Sequence, residues 1–329
     1  MKATITGATG LVGANLAVEL LGQGHEVRCT RRSTSRTDHL DGFPIEWVEA
    51  DLDDQPSLER AFAGAAVVFH CAAQVDISRR GLEKMTRANV EGTRHVLDAV
   101  RRARVPRLVH CSSVAACAVT LTGDPVDETR PWNFAEVGLN DGYALTKHQG
   151  EQLVQAAAAA DVDAVIVNPT YMFGPYDVRP SSGKLIRDVV KGSIPGTTPG
   201  YNNFVDVRDV CRGMILAAEK GRRGERYILG HQDMSYHDAM HLIARVAGVR
   251  PPRFRIPRPL ATALGLIGDL QERLLGREPL INSISVKYGY FPGYRFTSAK
   301  AMRELGYRPG PLEPAITDAI AWFRRRGMV

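Results

Sequence analysis

The chain has 329 residues, 44% hydrophobic and 24% charged, a balance that fits one large globular lobe with a smaller one, or two domains, around an ample core. Its net charge of +6 is modest, and the basic clusters at 101–107, 221–226 and 324–327 lack interleaved aromatics, which speaks against a nucleic-acid partner. No apolar run approaches the ~20 residues that span a bilayer, and the opening MKATIT reads as a strand rather than a signal peptide, so a cytoplasmic protein is expected.

Short runs rich in Val and Ile alternate with helical patterns up to about residue 170. Strands are predicted at 2–7, 25–30, 45–51, 66–73, 107–113 and 163–169, and helices at 11–22, 56–63, 82–103 and 142–160. Such alternation implies βαβ units on a parallel sheet. Beyond Phe-Gly-Pro at 173–175, helices are predicted at 181–191, 207–219, 235–247, 259–275, 298–305 and 312–326, with a strand-like piece at 226–230. The expected fold is α/β: a Rossmann-type doubly wound parallel sheet over 1–174, and a smaller, mainly helical substrate lobe over 175–329. The chain is expected to cross back to the sheet around 200–230.

The 5 cysteines form no C-x-x-C pair and read as reduced core thiols. His237 and His241 have zinc-helix spacing but lack the glutamate of H-E-x-x-H, so they read as a helical face and no metal is expected.

Gly7, Gly10 and Gly13 lie in TGATGLVG, between the first strand and the first helix. Glycines so spaced permit a tight turn, close approach of backbone to pyrophosphate, and close helix–strand packing. The helix N-terminus then offers free N–H groups to the anion. Gly7, Thr9, Gly10, Leu11, Val12 and Gly13 are therefore the expected phosphate contacts.

The second strand runs into Arg31 and Arg32, where NAD sites usually carry an acid that binds the ribose hydroxyls. Guanidinium there favours a 2′-phosphate, hence NADP(H) over NAD(H); the alternative is a pair of arginines on a solvated loop. Asp51 and Leu52 end the third strand, where adenine is expected.

Tyr143 and Lys147 stand one helical turn apart on a single face. An ammonium so placed favours phenolate, although a plain solvated pair has the same spacing.

Taken together, the glycine loop, ADLDD (50–54), HCAA (70–73), NVEGT (89–93), CSSVAA (111–116), Tyr143-x-x-x-Lys147 and NPTYMFGP (168–175) resemble an extended short-chain dehydrogenase/reductase. The resemblance covers essentially the whole chain and is greatest to the dihydroflavonol 4-reductase-like and hopanoid-associated epimerase-like branch. It implies Tyr143 as acid/base, Lys147 as the residue that binds nicotinamide ribose and lowers the phenol pKa, and Ser113 as the group that positions the substrate oxygen. It also implies Asn89 as a support of the active site or cofactor loop, the alternative being a helical asparagine bonded to nearby backbone. Ala72 and Ala73 are implied against the cofactor ribose, and Pro169, Thr170 and Met172 beside the nicotinamide. Ser113 is preferred to Ser112 on strand alternation and the family pattern. Asn168 departs from the arginine common in relatives. A homodimer is implied through helices 82–103 and 142–160.

Three functions fit: an NADP(H)-dependent oxidoreductase acting on a ketone or secondary alcohol, a sugar-nucleotide epimerase that retains its cofactor, and a non-catalytic dinucleotide sensor. Ser113, Tyr143 and Lys147 argue against the sensor, which needs no proton relay. Tyr288, Tyr290, Phe291, Tyr294 and Phe296 suit either a lipophilic small-molecule substrate or, more simply, the core of the small lobe.

Overall fold

The structure, a computed structural model, describes residues 1–76, 81–139, 141–275 and 281–329. The six predicted strands form as β1 (Lys2–Thr6), β2 (Glu26–Arg31), β3 (Glu46–Glu49), β4 (Val67–His70), β5 (Leu108–Cys111) and β6 (Ala164–Pro169). Further strands follow as β7 (Tyr171–Phe173), β8 (Gly196–Thr197), β9 (Tyr201–Asp206), β10 (Arg226–Leu229), β11 (Gln232–Ser235) and β12 (Phe254–Arg255). The main sheet is 7-stranded, all parallel, in the order β10-β6-β5-β4-β1-β2-β3. Its last six strands repeat the 3-2-1-4-5-6 order of dinucleotide-binding sheets, here read from the opposite edge.

The helices are α1 (Leu11–Gly22), α2 (Gln55–Phe62), α3 (Leu82–Met85), α4 (Gly92–Arg102), α5 (Gly142–Ala160) and α6 (Gly183–Val190). They continue as α7 (Val207–Lys220), α8 (Tyr236–Ala247), α9 (Arg258–Leu275), α10 (Ser283–Gly289), α11 (Ala299–Leu305) and α12 (Glu313–Arg325). Helices α1 and α7 cover one face of the sheet, over Ile5, Phe69, Val109 and Val167. The opposite face packs Val68, Leu108 and Ile166 under α2, α4 and α5. Strands buried on both faces read as continuous apolar runs, and each such side chain contributes about 1.5–3 kcal/mol of transfer free energy.

Three departures from the predicted elements bear on the site. The predicted strands at 45–51, 66–73 and 107–113 stop at Glu49, His70 and Cys111, which frees Asp51, Ala72, Ala73 and Ser113 into loops at the C-terminal edge. The helix predicted over 82–103 is interrupted by a π-helical stretch at Thr86–Glu91 that contains Asn89. The small lobe is not wholly helical: β7, β9 and β11 form a 3-stranded sheet, and β8 pairs with β12. Its helix α10 was not foreseen, because a 7-residue helix with no fully buried position carries too little apolar periodicity to read. Residues 276–280, within the 254–296 segment that carries the aromatics named above, lie outside the described residues.

Candidate active site

The glycine loop has the geometry that an anion cradle requires. Gly7 adopts φ +78°, and a Cβ there would lie 2.5 Å from the Ala72 nitrogen. A Cβ at Gly13 would fall 2.4 Å from the Gly7 carbonyl oxygen, so α1 can approach β1 only with glycine at this position. At Gly10 a Cβ would meet only the Gly7 carbonyl oxygen, at 3.5 Å, so the space above it is open. Fold packing therefore explains Gly7 and Gly13, whereas Gly10 keeps room free at the helix N-terminus. The first turn of α1 has no capping side chain and no acid, which leaves the N–H groups near Leu11 and Val12 available to an anion. Thr9 is half-buried at the rim of the same loop.

At the far side of this loop, Arg31 ends β2 half-buried and Arg32 is exposed. Neither has an ion-pair partner among the described residues. The Asp51 backbone N–H donates to Ser57 Oγ at 3.1 Å, and its carboxylate accepts from the Asp53 N–H, also at 3.1 Å. Leu52 packs toward Gly92, and its carbonyl lies 2.6 Å from His95 Nδ1.

Asn89 holds the loop after β4. Its Oδ1 accepts from the Gln74 N–H at 2.8 Å, and its Nδ2 donates to the Gln74 carbonyl at 2.9 Å and to Thr146 Oγ1 at 3.1 Å. Both ends of the amide are engaged, so Asn89 clamps the segment just beyond half-buried Ala72 and exposed Ala73 and ties it to α5. This geometry makes Asn89 a positioning residue; its amide bonds to backbone and Thr146.

Ser113, Tyr143 and Lys147 converge at the open edge. Asp141 caps α5 by accepting from the Ala144 N–H at 2.9 Å, which orients the first turn carrying Tyr143. The Tyr143 phenol faces the Ser113 side chain, whose Oγ accepts from the Ala115 N–H at 3.1 Å. Lys147 is buried and donates to the Cys111 carbonyl at 2.9 Å. Burial lowers its pKa, and it keeps donor capacity beyond that single carbonyl. Beneath it, burial holds His70 at about 3 and His110 well below its ordinary value, so the ammonium stands over neutral imidazoles. Tyr143 is half-buried, and burial pushes its phenol up to about 12, with the Ser113 side chain opposing the rise. The lysine was expected to bring the phenol down; as it stands, desolvation outweighs any such effect.

A second set beneath this trio was not foreseen. Ser112 Oγ donates to Glu151 Oε2 at 2.5 Å, Asn168 Nδ2 donates to the same oxygen at 2.6 Å, and Arg226 Nη1 donates to Glu151 Oε1 at 2.9 Å. Asn168 Nδ2 also donates to the Ser113 carbonyl at 2.9 Å, linking the network to the serine. Desolvation raises Glu151 despite these donors. The available signal was the i, i+4, i+8 row of Tyr143, Lys147 and Glu151 on one helix face. Ser112 and Ser113 do diverge, one toward Glu151 and the other toward Tyr143.

Pro169 closes β6, Thr170 is buried with its Oγ1 unpartnered among the described residues, and Met172 packs half-buried beside the α1-side core. The aromatic segment forms the wall next to Tyr143. Phe291, Tyr294 and Phe296 are buried in one cluster with Val114 and Ala115, and Tyr143 and Tyr288 pack on its edge. The simpler expectation, a core of the small lobe, does not describe their packing: the rings lie against Val114, Ala115, Phe134 and Leu139 of the first half of the chain.

Residues 3–230 match the NAD dependent epimerase/dehydratase family. A putative dihydroflavonol 4-reductase from Synechocystis sp. is 35% identical over 99% of this chain and 95% of its own length. Sterol demethylase protein B from Methylococcus capsulatus is 36% identical, with 100% of both chains covered. The crystal structure of gox2253 superposes with a TM-score of 0.86 at 35% identity, covering 99% of each chain.

Proposed function

Because this chain belongs to the NAD dependent epimerase/dehydratase family and is an enzyme of the NAD(P)-dependent oxidoreductase type, we propose that it interconverts a ketone and a secondary alcohol on a lipophilic substrate, using NADP(H). The observation that carries this reading is the convergence of Ser113 and Tyr143 at the C-terminal edge of the sheet, beside buried Lys147.

The glycine loop fits a dinucleotide pyrophosphate, since Gly10 leaves space above N–H groups that no side chain caps. Arg31 and Arg32 suit a 2′-phosphate, and Lys147 has donors left for ribose hydroxyls. When bound, the dinucleotide supplies or takes the hydride. A substrate carbonyl that gains hydride becomes an alkoxide and needs a proton on oxygen. The Ser113 hydroxyl orients that oxygen, and Tyr143 Oη delivers the proton. In the reverse direction the same phenol, ionised, accepts it. A phenol near 12 is well suited to remain protonated, and therefore a donor, across the neutral range. The Phe291, Tyr294 and Phe296 wall behind Tyr143, and the names of the two relatives, support a largely apolar, ring-containing substrate.

The test is the nucleotide content and exchange behaviour of the purified protein. Uptake of NADPH, in preference to NADH, followed by reduction of an apolar cyclic ketone, is the expected result. Tightly held NAD that fails to exchange would instead assign an epimerase.

A further inference from the structure

Helix α9 is oriented opposite to the usual rule for a globular protein. Its buried positions are Ala261, Gly265, Gly268 and Glu272, a row at one-turn spacing. A Cβ at Gly265 would come 3.1 Å from Val286 Cγ2 and 3.2 Å from the Ser283 nitrogen, so small residues let α9 lie close on α10. Asp269 fastens the two helices by accepting from the Ser283 N–H at 3.0 Å. The large side chains face away: Leu260, Leu266, Ile267, Leu270, Leu274 and Leu275 are each 52–71% exposed. At 100° per residue these six span roughly half of the helix circumference, with Arg258, Thr262 and Arg273 along one border.

We propose that α9 is a membrane-docking helix that lies in the headgroup–acyl boundary of an anionic bilayer, with its leucine face in the lipid. The charge beside it carries the choice of partner. Arg250, Arg253, Arg255 and Arg258 are exposed immediately before and at the start of the helix, and none has an ion-pair partner among the described residues. Phe254, 63% exposed, stands between two of them. An aliphatic face bordered by arginines and an aromatic is the pattern of an interfacial helix, and the arginines suit lipid phosphates. Protein interfaces instead favour Tyr, Trp and Met at the centre, with leucine under-represented among energetic anchors. A monomeric protein rarely leaves so large a contiguous apolar face in water.

The docking face also lies near the reaction site. Helix α10, on which α9 rests, carries Tyr288, whose hydroxyl donates to the Asp141 carboxylate that caps α5 at Tyr143. A bilayer under α9 would therefore lie one helix layer from the substrate wall. The docking itself is independent of the reaction proposed above.

The test is flotation of the full-length protein with vesicles of phosphatidylcholine alone or mixed with phosphatidylglycerol, together with light scattering without lipid. The expected result is co-flotation with the mixed vesicles, weakened by salt. Leu266→Glu/Leu270→Glu should lower partitioning by at least about tenfold, and Arg253→Ser/Arg255→Ser by about fivefold per arginine. Dinucleotide binding should survive in both variants, which shows that they fold. A Leu270→Trp reporter should shift its emission to the blue only with mixed vesicles. Parent protein that stays in the aqueous fraction overturns the proposal. So does a parent dimer that Leu266→Glu/Leu270→Glu turns into a monomer with vesicle binding unchanged, since the face would then be a protomer interface.

Discussion

Arg226, on the edge strand β10, donates to Glu151 in the middle of α5 at 2.9 Å, with both side chains largely withdrawn from water. The pair lies directly below Lys147 and shares its carboxylate with Ser112 and Asn168. Ser113 is thus held by its own backbone through Asn168, which connects an edge strand to the reacting edge of the sheet.

Removing one partner of this pair should be costly because the other charge stays buried. Arg226→Met is expected to destabilise by about 3–5 kcal/mol, and Arg226→Met/Glu151→Leu by much less, as read from urea denaturation of each variant. Equal losses in the single and double variants would show that the pair does not act as a unit. The pH dependence has a definite sign. Glu151 is raised in the folded protein, so its contribution is fully present below the unfolded carboxyl value and is lost as pH rises through the folded one.

Tyr143→Phe should leave dinucleotide binding intact and reduce kcat by about 10²- to 10⁴-fold. Stopped-flow hydride transfer and equilibrium dinucleotide titration separate the two effects; undiminished turnover would remove Tyr143 from the chemistry.

Alkaline titration tests the electrostatics of the same residue. The phenol is raised to about 12, so its contribution to stability is present below the ordinary tyrosine value and is lost as pH rises through about 12. The difference in ultraviolet absorbance between the parent and Tyr143→Phe should therefore show no ionisation at pH 10. A Tyr143 transition at or below that pH would contradict the burial assigned to it.

Arg31→Ala and Arg32→Ala should each weaken NADPH binding by about ten- to a hundredfold, the worth of a charged hydrogen bond, with little effect on NADH. Fluorescence titration of the reduced dinucleotides measures this, and equal parent affinities for the two would sink the 2′-phosphate assignment.

Asn89→Ala unpairs the Gln74 N–H and carbonyl together. It is expected to cost about 1–3 kcal/mol of stability and to raise KM for the dinucleotide more than it lowers kcat. Asn89→Asp, which keeps one acceptor for the Gln74 N–H, should recover part of the affinity. A kcat loss as large as that of Tyr143→Phe would instead place Asn89 among the reacting groups.

Much of the dinucleotide half was legible before any coordinates. Gly7, Gly10 and Gly13, and the pair Tyr143 and Lys147, are local patterns whose spacing already states their geometry. Strand ends were less legible: β5 stops at Cys111 because Ser113 turns into a short 3₁₀ turn and caps it, a choice that the apolar run up to it does not reveal.

What the sequence by itself determined is the set of short-range relations: an alternating α/β chain, a glycine-bounded helix start, and a tyrosine and lysine on one helical face. Helix and strand periods are local, so they can be read within a window of residues. Only the tertiary structure decided which distant groups meet. Glu151 collects Asn168 and Arg226 from two strands and Ser112 from the turn after a third, and no periodicity encodes that meeting. The orientation of α9 is another such decision. Its pattern alone would bury the leucines, whereas the close fit of Gly265 against α10 turns them outward. Periodicity separates one face of a helix from the other; the neighbour that packs against it determines which face is the inside.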